Sequence, residues 1–96
     1  MMDPVFTKAA VADLRDLVDW YDQQQSGLGS EFLRCVDAAV HLLCRHPEIG
    51  SEGPYSCRCL WIRRFPVTLY FRNWDDGITI IAVLHHRQKK TAIVAR

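Results

Sequence analysis

A chain of 96 residues with 49% apolar and 24% charged side chains makes one domain and leaves no room for a second. Its longest apolar run, Ile78 to Leu84 with Thr79 inside it, is far short of the ~20 residues that cross a bilayer, and Asp3 spoils a secretory leader, so a cytoplasmic protein with no membrane partner is expected. The net charge of +1 conceals a segregation: residues 1–50 hold four Lys/Arg against eight acids, and residues 51–96 hold eight against three. A positive second half steers anionic partners, nucleic acid or acidic peptide, although a solvated basic face would have the same composition.

Pro4 to Phe6 is an extended lead-in, and Thr7 is the predicted N-cap of a helix running to about Gln25. Ala10, Val11, Leu14, Leu17, Val18 and Tyr21 recur every three or four residues, with Asp13, Asp16, Asp19 and Asp22 between them on a solvated or partner-facing side. Ser26-Gly27-Leu28-Gly29 interrupts the pattern. Phe32, Val36, Ala39, Val40 and Leu43 resume it until Pro47 forbids helix after His46, which gives a helical hairpin. Glu48 to Pro54 is a loop. Cys57 to Arg64 alternates as a strand, with Arg58, Leu60 and Ile62 on one face and Cys59, Trp61 and Arg63 on the other. Pro66 breaks the chain before a strand over 67–72, and Asp75-Asp76-Gly77 turns it. Ile78 to His85 then returns with Ile78, Ile80, Ala82 and Leu84 on one face and Ile81 and Val83 on the other, a strand covered on both sides. Residues 88–96 fit either a short strand or a helical turn. The fold class is α+β: a single domain over residues 1–96, with an N-terminal helical hairpin packed on a small twisted antiparallel sheet.

Four cysteines do not make a zinc site on this pattern. Cys35 and Cys44, nine positions apart on a helix, point to opposite sides, and Cys57-Arg58-Cys59 leaves one residue where zinc pairs favour two or more. They read as buried free thiols of a reducing compartment, and neither metal nor cofactor is expected. Cleavage of a phosphodiester without metal would need a base, an acid and cations, for which His85, His86, Arg87 and Arg64 are the candidates. Neighbours on a strand face opposite ways, so only one of the two histidines is expected to line a given pocket. Arg58, beside Leu60 and Ile62, presents a guanidinium on an apolar face, either to clamp a partner's carboxylate or to pair with an acid of the hairpin. Trp20, Trp61 and Trp74 either stack on bases or pack.

Several segments, in order, carry a resemblance over nearly the whole chain. They are Ala12-Asp13-Leu14 and Trp20-Tyr21; Gly29-x-x-Phe32; His46-Pro47-x-x-Gly50; Arg58-x-Leu60; Arg64-Phe65-Pro66 leading to Leu69-Tyr70-Phe71-Arg72; and Ala82-Val83-Leu84-His85-x-Arg87. This ordered set resembles the RelE/ParE superfamily of toxins from type II toxin–antitoxin systems, and the ParE-like branch more closely. Lys89-Lys90 stands where that branch commonly has Asp-Pro, and Ile93 where it commonly has Trp.

The resemblance implies a cognate antitoxin, ParD-like with a ribbon-helix-helix domain, that wraps the toxin and brings the pair to operator DNA. It implies inhibition of DNA gyrase for a ParE-like member, and ribosome-dependent cleavage of messenger RNA for a RelE-like one. A non-toxic binding module on the same fold is the third alternative. On the first alternative the protein is a stoichiometric inhibitor, its target-facing surface is Arg63, Arg64, His86, Arg87, Lys89 and Lys90, and the antitoxin meets Arg58, Trp61 and Tyr70.

Overall fold

Thr7 caps the first helix as its sequence position predicts, its hydroxyl accepting the Ala10 amide at 3.1 Å. In the computed structural model, which describes residues 3–96, that helix is α1 (Lys8–Gln24). The second, α2 (Leu28–Arg45), starts after Gly27, whose φ of +88° suits glycine, and stops before Pro47. Gly29 makes the tight hairpin possible. Its amide donates to Asp22 Oδ1 at 2.7 Å, and a Cβ there would lie 2.5 Å from the Val18 carbonyl oxygen.

The sheet has five strands in the order β1-β5-β4-β3-β2: β1 (Val5–Phe6), β2 (Ser51–Glu52), β3 (Arg58–Trp61), β4 (Val67–Trp74) and β5 (Gly77–His85). Two features differ from the expected antiparallel meander. Part of the 48–54 loop is an edge strand, Ser51 and Glu52 pairing with Cys59 and Arg58. The lead-in β1 pairs with β5 in parallel, Val5 with Thr79 and Phe6 with Ile80, so the sheet is mixed. Parallel neighbours need a long crossover, and everything from α1 to β4 supplies it.

The third difference lies inside β5. The β4–β5 pairing steps from Phe71–Ile80 to Tyr70–Ala82, leaving Ile81 as a bulge. One extra residue exchanges the faces of everything beyond it. Ile78, Ile80 and Val83 therefore face the helices, while Ile81, Ala82 and Leu84 face outward, instead of the even-against-odd division expected.

Two apolar clusters result. The larger one, between helices and sheet, is built on Phe32, Leu43, Leu69, Phe71 and Ile80, each 0% exposed. The smaller one lies on the outer face and gathers Cys57, Tyr70, Ile81, Ala82 and Leu84 under Ile93. Ile93 belongs to a single 3₁₀ turn, Lys90–Ile93, the last element before the described chain ends at Arg96, so the tail resolves to a helical turn and docks through isoleucine. Arg96 fastens it: its guanidinium donates to Asp13 Oδ2 at 2.6 Å and Oδ1 at 3.0 Å, and to the Ile81 carbonyl at 3.2 Å. Asp13 also accepts the Val83 amide at 3.0 Å. Asp13 is therefore no solvated residue of the acidic face. It satisfies backbone that the bulge and the short β1 leave unpaired.

Among the described residues no helix is long and apolar enough to cross a membrane.

Candidate functional site

Chain reversals bring most of the expected target-facing residues to one end of the sheet, where β3 ends, β4 starts and β5 stops. The His86 amide donates to the Pro66 carbonyl at 2.8 Å, joining the segment after β5 to the turn that carries Arg63 and Arg64. Arg64 adopts a φ of +75°, and its guanidinium approaches Glu31 of α2 at 3.9 Å. It turns toward the helical layer, away from the clefts that receive the histidines. Arg63, Arg87, Lys89 and Lys90 are exposed and, among the described residues, have no carboxylate within 4.0 Å.

His85 and His86 were expected to part company across the strand. They do not, because His85 is the last residue of β5 and the chain leaves extended geometry there. Their ring centroids lie 6.5 Å apart, and both border the same two clefts. The first, about 690 Å³, lies against α1, with Asp16, Leu17 and Trp20 on its far wall and Arg87 at its rim. The second, about 240 Å³, lies on the outer sheet face among Trp61, Thr68, Tyr70 and Lys90.

Each imidazole spends one nitrogen on structure. His85 Nδ1 accepts the Arg87 amide at 3.1 Å, leaving Nε2 to carry the proton in the neutral ring. Burial, and next the positive charge of Arg87 and of His86, hold His85 below its ordinary value, so it is the neutral form that the fold favours. His86 Nε2 lies 3.2 Å from the buried Thr68 hydroxyl.

An unbroken file of rings crosses this end. Trp20 meets His85 at 6.0 Å between centroids, His85 meets His86, and His86 meets Trp61 at 5.1 Å. Trp20 is 45% exposed and Trp61 71%, so the file ends in two open indoles. The sequence offers no periodicity for this assembly, because α1, β3 and β5 each contribute to it.

The three residues assigned to the antitoxin do not share a surface. Trp61 and Tyr70 lie on the outer face, Tyr70 buried in the floor of the smaller cleft with its phenol pushed above its usual value by burial. Arg58, paired across from Phe71, is on the helical side. Its Nη2 donates to the Gly50 carbonyl at 3.1 Å and lies 3.4 Å from that of Glu48, so it ties down the loop before β2 in place of either an acid of the hairpin or an open clamp. Gly50 is held close by the same loop, with a φ of +96° and room for no Cβ beside the Cys59 carbonyl.

The four thiols are free and distributed between the two clusters, and among the described residues no three His, Cys, Asp or Glu side chains are grouped as metal ligands.

The chain is thus a small α+β domain whose basic, aromatic end is an open surface flanked by two clefts. The comparisons narrow this. The sequence pattern of the family described as the ParE toxin of type II toxin–antitoxin systems, parDE, matches residues 5–90, and the chain belongs to that family. Its fold is similar to a solved chain of a chromosomal ParDE system from P. aeruginosa, with a TM-score of 0.77 at 22% identity, covering 88% of this chain and 96% of that one. No curated protein sequence matches it.

Proposed function

We propose that this ParE-family protein arrests growth by binding DNA gyrase stoichiometrically, and that a ParD-like antitoxin neutralises it by burying the same surface. The observation that carries the reading is the ParE match over residues 5–90, joined to an end of the sheet that is open, cationic and aromatic. An open surface suits occupation of a large partner better than enclosure of a substrate. Operator DNA is reached only through the antitoxin, and the site of action is the cytoplasm.

The surface that meets the target is the turn carrying Arg63 and Arg64 together with His86, Arg87, Lys89 and Lys90. Antitoxin contact centres on Trp61 and the edge of Tyr70, with Arg58 acting through the loop it holds. The ribonuclease alternative gains from His85, His86 and Arg87 bordering a common cleft, and loses from Arg64 standing on the other side near Glu31.

Purified protein incubated with gyrase and supercoiled plasmid is expected to trap cleaved complexes while leaving translated messenger RNA intact. Codon-biased cuts in the message with supercoiling unaffected would replace this reading by the ribonuclease one.

A further inference from the structure

Two half-open tryptophans joined by two imidazoles are an uncommon expenditure of aromatic surface in a domain of this size, and gyrase binding does not by itself call for it. Trp74 supplies the contrast. It is 57% exposed, yet its indole N–H donates to Thr79 Oγ1 at 2.9 Å, and it sits beside Asp75 and Asp76 at the opposite end of β4. Trp20 instead shares a cleft with Arg87 and Trp61 one with Lys90, while Arg63 and Lys89 stand exposed nearby in the chain, and among the described residues none of the four has a carboxylate within 4.0 Å.

Asp16 beside Trp20 and Glu52 in the outer cleft are the carboxylates that bound the file of rings. Between these limits lie four rings, meeting at interplanar angles of 54–66°, and positive charge. Asp13, the remaining acid on that wall, is already occupied by Arg96. Flat rings next to unpaired cations are what a flexible phosphodiester with unstacked bases requires: each base has a π face to set against an indole or imidazole, and each phosphate a charge to neutralise. Leu17 and Pro66 offer an acidic amphipathic peptide one apolar socket in the larger cleft, whereas the residues that border both clefts, His85, His86 and Gln88, include no aliphatic anchor site. Duplex DNA keeps its bases stacked and hidden, so it can use the cations alone.

We propose that the Trp20–His85–His86–Trp61 file is a stacking platform for single-stranded DNA, so that the toxin holds locally opened DNA as well as protein. The choice of DNA as the strand rests on the gyrase reading, since that enzyme works on DNA, while the platform itself is a property of the chain alone. Protonation of His85 in acid adds positive charge to the same strip, where Asp13, Asp16 and Trp20 of α1, together with His86, Arg87 and Gln88, border the same cleft.

The test uses the purified chain without gyrase and reads fluorescence anisotropy of a labelled oligothymidylate. The expected result is binding about tenfold tighter than to an abasic phosphodiester of equal length, with Trp61→Ala losing about tenfold and Trp61→Phe retaining most of the affinity. Trp74→Ala is expected to bind as the unsubstituted protein does, and circular dichroism checks that each variant is folded. Equal affinity for the abasic strand, preference for duplex or for oligouridylate, displacement by polyglutamate at equal charge, or an unaffected Trp61→Ala would each overturn the proposal. Gyrase poisoning that survives Trp61→Ala, with no DNA binding by the chain alone, would remove the platform and keep the gyrase reading. Platform binding without any effect on gyrase would do the reverse.

Discussion

The two faces of the sheet are built to different standards. On the inner face, two helices of 17 and 18 residues lay a continuous apolar stripe over β4 and β5, and the centre of that layer is sealed from solvent. On the outer face, one turn of 3₁₀ helix and one isoleucine cover a smaller cluster of Cys57, Tyr70, Ile81, Ala82 and Leu84, fastened through a single arginine. The inner face sets stability, and the outer one, with the adjoining end of the sheet, carries the surface proposed to meet partners. A domain this small has little apolar area to divide, and it invests most of it on one side.

That division can be broken from the inside first. Phe32→Ala removes a ring that touches Tyr21 and Phe65 at about 5 Å between centroids and is expected to cost about 3–5 kcal/mol, a large share of the stability of any small domain, read from denaturant midpoints. Gly29→Ala forces a methyl against the Val18 carbonyl and Asp22. We expect about 2 kcal/mol and a shift of α2 relative to α1, visible in amide chemical shifts on both helices.

Outer-face substitutions sharpen the contrast. Ile93→Ala is expected to cost about 2 kcal/mol or less, at the low end for a buried isoleucine because the tail can lift away, with hydrogen exchange accelerated at residues 90–96 and unchanged in α2. Arg87→Ala is expected to alter stability by less than about 0.5 kcal/mol while weakening growth arrest, since an exposed cation without an ion partner contributes little to folding.

The smallest effect is a pH dependence. His85 titrates lower in the folded chain than its ordinary value of about 6.5, so between the two values the unfolded chain carries the proton and the folded chain does not. Stability therefore falls as pH drops through that window and levels off below the folded value. Arg87→Ala should narrow the window without closing it, because burial is the larger cause, and an NMR titration of the His85 ring measures both.

The accuracy of the sequence reading follows the range of the signal. Thr7, Pro47 and Asp75-Asp76-Gly77 act on their immediate neighbours, and the helix start, helix end and hairpin lie where they indicate. The ordered segments from Ala12 to Arg87 point to the ParE branch, and the family match agrees.

What escaped was long-range or masked. Ile78 to Leu84 is apolar on both faces, so a one-residue bulge at Ile81 changes no polarity that a pattern could register. Asp13 looked like one acid in a series of four, because its partners, Val83 and Arg96, lie 70 and 83 positions away. Strand alternation places His85 and His86 on opposite faces only if the strand runs past both, and it ends at His85. The ring file drew on three elements at once and had no local signature at all.

The parallel pairing of Val5 and Phe6 with Thr79 and Ile80 also has a bearing on how the molecule is born. The earliest strand off the translation machinery finds its neighbour only when the latest one has been made, and the hairpin that follows it spends that interval with its greasy side bare. A nascent chain that has not yet reached β5 therefore exposes the apolar side of its helices, and that is the interval in which a chaperone or a neighbouring chain can capture it.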